Sequence, residues 1–404
     1  MTENSRLDRM STNVSRRQVM LGAAGLSFAI AFGGRADAAA IASEPVGKAM
    51  NPWVSIAPDG TITIMSAATE MGQGSMTSLP LVLAEELDAD WSKVRIVPAP
   101  VIDQIYGNPA YFHMIYTAGS NAVRVYFTPL RIFGAQARRV LLDNAAEKLG
   151  VLVEELTTEP SVVVHAKSSR RLSYGEIAAF AEIPDKAPEI RKEQLKKPSE
   201  FRLIGKDVMR VELPTKVNGS AQYSIDVQLP GMLYGAVVRA PVEGSAPVSF
   251  DEAKVRAIAG VVKTAKLPYG VGVVAETPWA AFAARDVIAD SASWTKSGKA
   301  WGFDSEKGHE AFAATARDLG KQGTDWFKTG DLRGELAKAA DMIDALYLCD
   351  YAYHAQMEPL NAVASISPSG DAAEVWTGTQ SPTTASEATA KALGISRDKV
   401  KVHY

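Results

Sequence analysis

The stretch Met71-Gly72-Gln73-Gly74-Ser75-Met76-Thr77-Ser78 constrains this chain most. Before it, Thr61-Ile62-Thr63-Ile64-Met65 alternates polar and apolar residues, the period of a half-buried strand. After it, Leu79 to Leu87 reads as a helix. Two glycines therefore flank a glutamine at a strand-to-helix turn. Glycine admits backbone angles closed to other residues and lets a ligand come close. The helix that follows offers unpaired N–H groups and the positive end of its dipole. Such a bend suits an anionic or strongly polar ligand. A tight turn with no ligand is the plainer alternative.

A second glycine turn, Thr117-Ala118-Gly119-Ser120-Asn121, opens a long helical pattern. Its apolar positions are Val123, Phe127, Leu130, Phe133, Ala137, Val140 and Leu141, close to the helical period. Pro129 either kinks this helix or restarts it with Thr128 as N-cap, and Gly150 ends it. Ser120 either caps the helix or meets a ligand oxygen. A third bend is Thr377-Gly378-Thr379-Gln380-Ser381-Pro382, between a strand at 373–376 and a helix at 384–393. Gln380 there is a capping residue or a ligand contact.

Other elements follow the same reading. Trp53 to Ile56, the turn Pro58-Asp59-Gly60 and Thr61 to Met65 form a hairpin. Val94 to Pro98 is a strand, and the aromatic stretch from Ile102 to Tyr116 is loop-like. His113 inside it is expected to be a packed loop histidine, with a place at a substrate mouth as the alternative. Val162 to His165 is a short strand, Tyr174 to Glu182 a helix, and Pro184 to Pro198 a solvated linker rich in Lys, Glu and Pro. From Phe201 onward, short strands, turn signals at Asn218-Gly219 and Pro230-Gly231, and one helix at 251–258 are expected. Glu358, before Pro359, is expected to be a buried, hydrogen-bonded carboxylate.

Length and composition set the bounds. A 404-residue chain with 47% hydrophobic and 22% charged residues is ordinary globular material, enough for about two to three domains. A net charge of −3 with no long basic block gives nucleic-acid binding no support. The single cysteine, Cys349, excludes an internal disulfide. It also excludes a self-contained iron–sulfur cluster, which takes about four thiolates. No nicotinamide fingerprint, P-loop, HExxH or CxxC pattern occurs, so those chemistries are disfavoured. At the N-terminus, Arg6, Arg9, Arg16 and Arg17 precede an apolar run, Val19 to Gly33, shorter than the roughly 20 residues that span a bilayer. Ala36-Asp37-Ala38 suits a cleavage site. Ser15-Arg16-Arg17-Gln18-Val19-Met20 resembles a twin-arginine export signal; a general secretory signal is the alternative.

The motifs Thr69-Glu70-Met71-Gly72-Gln73-Gly74, Leu83-Ala84-Glu85-Glu86-Leu87 and Trp91-Ser92-Lys93-Val94 together resemble the xanthine dehydrogenase/aldehyde oxidase family. The branch is that of the large molybdopterin-binding subunit of isoquinoline 1-oxidoreductase and membrane-associated aldehyde dehydrogenase. The resemblance runs from about Asn51 to Tyr404. It implies an α+β, multi-domain fold in which parts of a molybdopterin-binding domain flank an a/b hammerhead-like domain. The implied divisions are a signal peptide at 1–40, a cofactor-binding segment at 41–150, a connector at 151–200, the hammerhead-like domain at 201–345 and the start of the molybdenum-binding domain at 346–404.

The same resemblance implies roles. Gln73 and the N–H groups of Gly72, Gly74 and Ser75 would cradle molybdopterin cytosine dinucleotide. Gly119 and Ser120 would hold its phosphate side, although Ala122 and Val123 stand where relatives often carry further hydroxyls. Gln380 would face an oxygen ligand of molybdenum, and no residue here would bind the metal directly. Relatives continue past the position of Tyr404 into a GGGFG-type loop and, later, a general-base glutamate. This chain is therefore expected to be part of a longer subunit and inactive alone, with no catalytic residue of its own. The parent would be an exported, periplasmic molybdenum hydroxylase, inserting water-derived oxygen into an aldehyde or N-heteroaromatic C–H. Its electrons would pass to a small [2Fe–2S] subunit, with a cytochrome c subunit as a further partner, and membrane association would come through a partner. A non-catalytic binding or assembly module on the same scaffold is the rival reading.

Overall fold

The computed structural model describes residues 45–318 and 320–404. The export-signal expectation lies outside the described residues. The chain forms two compact units, one from residues up to Val227 together with Glu358–Tyr404, the other Gln228–Met357. The expected division near 200 lies inside the first unit.

The first unit is built on a four-stranded sheet in the order β1 (Lys48–Asn51), β2 (Val54–Ile56), β3 (Ile62–Ser66) and β4 (Val94–Pro98). The β2–β3 pair is the expected hairpin, with Val54 opposite Ile64. β3 and β4 pair in parallel, which requires a crossover. Helix α1 (Ser75–Leu87) supplies it, starting four residues earlier than its apolar run. Helix α2 (Asn121–Leu149) packs along α1. It continues through the buried Pro129, so the helix does not restart at Thr128. The helices come close because Gly134 has no side chain: a Cβ there would stand 2.3 Å from the Leu83 carbonyl oxygen. Trp53 anchors the core, stacked on Phe133 at 5.3 Å and edge-on to Tyr106 at 4.9 Å. Strands β5 (Leu156–Glu159), β6 (Val162–His165) and β7 (Arg170–Ser173) form a small meander that leads into α3 (Tyr174–Phe180). Ser173 and Glu176 close a capping box at its start.

The end of the linker is not solvated. Glu85 and Glu86 on α1 are fully buried, and buried carboxylates need partners. Glu85 Oε2 accepts the backbone N–H groups of Arg202, Leu203 and Ile204 at 2.6–2.9 Å. Lys196 Nζ sits 3.2 Å from Glu85 and 2.5 Å from Asp88, its side chain only 11% exposed. Arg131 pairs with Glu86. The Lys, Glu and Pro content that reads as a solvated stretch thus ends in the counter-charges of a buried acidic pair.

The second unit holds an antiparallel sheet, β8 (Tyr234–Arg239), β10 (Val261–Leu267) and β11 (Gly270–Ala275), with β11 in the centre. Two short strands, β9 (Pro247–Ser249) and β12 (Ser293–Trp294), form a pair of their own. The expected helix is α4 (Glu252–Arg256). A longer one, α5 (Pro278–Ser291), has no counterpart among the sequence expectations; Thr277 caps it and Pro278 occupies its first turn. Its Ala280, Ala281, Ala284 and Ile288 are buried, the last two in a cluster with Val255, Val271 and Val273. Helix α6 (Ser305–Arg317) has no buried residue.

The chain then returns to the first unit. β13 (Ala362–Ile366) pairs antiparallel with β14 (Ala373–Thr377), and β15 (Val400–His403) pairs parallel with β14. Helix α7 (Pro382–Leu393) makes that crossover. Glu358 is half-buried, not buried; its carboxylate lies 2.9 Å from where a Gly378 Cβ would be.

Candidate functional site

The first unit thus contains two parallel crossovers, β3–bend–α1–β4 and β14–bend–α7–β15. In open α/β arrangements, ligands settle outside the carboxyl ends of such strands. Both bends lie at those ends.

The first bend is braced from within. Gly72 and Gly74 have φ of 97° and 86°, the left-handed region that glycine enters without strain. Glu70 fills the space under them. Its Oε1 accepts the N–H groups of Gly72 at 2.8 Å and Gly74 at 3.0 Å, and its Oε2 accepts that of Met76 at 3.0 Å. Arg210 Nη2 donates to the same carboxylate at 3.1 Å, Nη1 to the Gly72 carbonyl at 3.0 Å, and Nε to Glu212 at 2.6 Å. The Glu70 side chain is 6% exposed. Burial pushes its carboxyl pKa up, but the N–H groups of Gly74, Met76 and Gly72 and the Arg210 guanidinium outweigh that and hold it below the ordinary value.

Gln73 is exposed yet engaged. Its Oε1 accepts the Met71 N–H at 2.6 Å, and its Nε2 donates to the Thr69 carbonyl and to Ser75 Oγ, both at 2.8 Å. The N–H on one side and the carbonyl on the other settle which way the amide faces. Both amide hydrogens are used, so one acceptor lone pair on Oε1 remains. Ser75 Oγ is buried and also reaches the Thr69 carbonyl at 3.2 Å.

The bend at 119–120 is different. Gly119 and Ser120 both adopt left-handed angles, φ 57° and 55°, and both are exposed. A Cβ on Gly119 would stand 2.5 Å from Tyr111 Oη. Ser120 makes no side-chain cap bond, so the capping role is not what it does. Among the described residues, the N–H groups of Ala122 and Val123 at the start of α2 have no hydrogen-bond partner. Arg124 lies beside them, donating to Asn121 Oδ1 at 2.6 and 3.1 Å. This helix start is open to an anion.

Thr117 ties the three bends together. Its Oγ1 accepts the Thr69 N–H at 3.0 Å. Its own N–H donates to the Gln380 carbonyl at 2.9 Å, and its carbonyl accepts Gln380 Nε2 at 2.7 Å. Thr69 Oγ1 donates to the Thr379 carbonyl at 2.8 Å. Below them, Thr383 Oγ1 accepts the Ile115 N–H at 2.9 Å and donates to Asp103 at 2.7 Å. Arg397 grips Asp103 with two nitrogens at 2.6 and 2.7 Å. Gln380 is exposed, and its second N–H and Oε1 carry no bond among the described residues. The structure therefore brings the bends at 72–74, 119–120 and 378–380 into one hydrogen-bonded set. Of the sequence-selected residues, Gln73, Gly119, Ser120 and Gln380 offer polar groups outward, whereas the N–H groups of Gly72 and Gly74 are occupied by Glu70.

His113 is exposed, not packed, with φ 62°. Its neighbour Phe112 has φ 54° and is 94% exposed. Consecutive non-glycine residues in this region are uncommon. The Asn108–Met114 bridge closes the loop behind them. Sequence reasoning missed Glu70, Thr117 and Arg210 as working parts. Glu70 alone had a local signal, a carboxylate placed just before a helix start and able to reach forward to its first N–H groups.

The sequence matches the family model described as the molybdopterin cofactor-binding domain at residues 5–219, and a second model of that description at 317–404. It is 36% identical to the beta subunit of isoquinoline 1-oxidoreductase from Brevundimonas diminuta, over 97% of this chain and 55% of that protein. It is 31% identical to membrane-bound aldehyde dehydrogenase [pyrroloquinoline-quinone] of Gluconacetobacter polyoxogenes, over 77% of this chain and 40% of that one. Identity to a nicotinate dehydrogenase subunit of Pseudomonas putida is 30%, over 84% and 28%. The chain spans about half the length of the first of these and less of the others. Among solved structures, quinoline 2-oxidoreductase from Pseudomonas putida 86 is similar over 49% of this chain and 30% of that one, with a TM-score of 0.36 and 20% identity. The Cu,Mo-CO dehydrogenase is similar over 50% and 31%, at 0.35 and 20%.

Proposed function

The chain belongs to the molybdopterin cofactor-binding family of the xanthine dehydrogenase/aldehyde oxidase type, and from that premise we propose that it forms one wall of the cofactor site of a molybdenum hydroxylase. The observation that carries the proposal is the Thr117 junction. It unites bends separated by hundreds of residues at the carboxyl ends of two parallel crossovers.

The groups present fit a pterin cofactor. The open start of α2, with Gly119, Ser120 and the N–H groups of Ala122 and Val123, takes the phosphate side. The remaining lone pair of Gln73 Oε1 would accept one hydrogen bond from a donor on the pterin. Gln380, held in place through one amide hydrogen, would offer its other N–H to an oxygen ligand of the metal. We assign the cytosine dinucleotide form to the cofactor. When bound, the cofactor supplies two-electron oxidation of an aldehyde or N-heteroaromatic C–H with water as the oxygen source. Glu70 is a poor general base, since its carboxylate already accepts three backbone N–H groups and a guanidinium and its pKa is held below the ordinary value. A general-base glutamate beyond Tyr404 remains part of the proposal.

One exposed cysteine cannot hold an iron–sulfur cluster. We propose that electrons pass to a small [2Fe–2S] partner, and from it to a cytochrome c. The Arg16-Arg17 segment directs folded export to the periplasm. The test is elemental and pterin analysis of the protein purified from periplasm, with acid release of the nucleotide. Stoichiometric molybdenum with CMP supports the reading. Protein without molybdenum or pterin overturns it and leaves the non-catalytic module.

A further inference from the structure

Three N–H groups converging on one point at the start of α1, with a guanidinium beside them, make an oxyanion nest. Here the nest is filled by the chain itself. Glu70 occupies it with four charge-assisted bonds, from Gly72, Gly74, Met76 and Arg210. Arg210 holds the far side of the turn through the Gly72 carbonyl, and is itself held by Glu212, which Thr77 Oγ1 meets at 3.3 Å. A carboxylate in this position excludes a second anion by charge and by volume. It also leaves Gln73 as the outward polar group of the turn, steadied by Met71, Thr69 and Ser75.

We infer that Glu70, locked by Arg210, is the positioning residue of the Gly-Gln-Gly bend. It fills the anion nest made by the Gly72, Gly74 and Met76 N–H groups, so that the bend meets the cofactor through the Gln73 side-chain amide and takes no phosphate in that nest. The cofactor half of this statement rests on the function proposed for the chain; the lock itself does not.

The test compares amide hydrogen exchange and amide resonances in the full 404-residue chain, as wild type, Glu70→Ala and Glu70→Gln. In Glu70→Ala the amides of Gly72, Gly74 and Met76 lose protection by roughly ten- to a hundredfold, the worth of lost charge-assisted bonds. Those of Val82 and Leu83 inside α1 stay unchanged. Formate restores the lost protection saturably, and chloride at equal ionic strength does not; a carboxylate with a purely structural side chain would give no such rescue. Glu70→Gln keeps the shape and one acceptor oxygen, so it moves the same amides by less, and it serves if Glu70→Ala does not fold. In wild type, inorganic phosphate leaves the Gly72 and Gly74 resonances in place. Unaltered protection in both variants, or saturable phosphate shifts at these amides in wild type, overturns the lock. Molybdenum and pterin content should fall at least about tenfold in Glu70→Ala by the same loss of fixed geometry. A released bend with full cofactor content overturns the positioning role. Wild type without molybdenum removes the proposed function, while the exchange data still decide the lock.

Discussion

The bends at 72–74 and 119–120 look alike as backbone, and differ in what occupies their polar groups. Each sets a pair of left-handed residues at the start of a helix. In the first, the N–H groups of Gly72, Gly74 and Met76 are taken by Glu70 and the glutamine side-chain amide is nearly spent on its own loop. In the second, Ser120 caps nothing and two N–H groups stay open. A glycine turn at a helix start is therefore not one kind of site. A single carboxylate two residues upstream decides between a rigid amide presenter and an anion receptor.

The largest expected contrast comes from Glu70→Ala, which removes the acceptor of three N–H groups and one of the partners of Arg210. Urea unfolding should report a loss of about 2–4 kcal/mol. The same carboxylate carries a pH dependence. Its folded pKa lies below the ordinary value of 4.5. Its stabilisation is therefore fully present above about 4.5 and is lost as pH falls through the lowered folded value. Protection factors at Gly72 and Gly74 should fall only in that acid window; protection that declines between pH 5 and 8 would break the argument. Thr117→Val keeps the branched shape but removes the acceptor for the Thr69 N–H, and should cost about 1–2 kcal/mol. Thr117→Ser should recover most of it. Gln73→Ala removes three loop bonds, so it should cost about 1 kcal/mol as well as lowering molybdenum content. Gly119→Ala forces a Cβ toward Tyr111 Oη at a positive φ, for about 1 kcal/mol on the same assay.

The smallest stability effect is assigned to Ser120→Ala, under about 0.5 kcal/mol, because no cap bond is lost. Ser173→Ala, at a real capping box, should cost about 1 kcal/mol. If Ser120→Ala proves as costly as Ser173→Ala, the open-bend description fails. Loss of pterin from Ser120→Ala without loss of stability sharpens it.

Much of this was legible in the sequence because the signals were local. Alternation marked β3 and β4, and glycine ended α2 at the expected Gly150. The bends announced themselves by glycine next to a glutamine or serine, and the family resemblance told which ones belonged together. What stayed hidden was partnership at a distance. Thr117 looks like any loop threonine until its partners at 69 and 380 are known. Arg210 acts on a turn 138 residues earlier. Lys196 sits in a hydrophilic stretch, and only the buried pair Glu85 and Glu86 turns it inward. The second unit's main helix, α5, was readable from Thr277-Pro278 but was masked by its run of alanines, which carry little periodicity.

Thr69 Oγ1 bonds the carbonyl of Thr379, 310 residues later in the chain. Between them the polypeptide makes an excursion through 228–357, all of the second unit. Closing so long a loop costs only slowly more than closing a shorter one, but it cannot happen before the returning segment has left the ribosome. Of these three bends the Gln380 side is thus the last delivered, and a nascent chain carries two bends waiting for a third. The three bends can therefore join only once that returning segment has emerged, and a ligand that needs all three cannot load on a shorter nascent polypeptide.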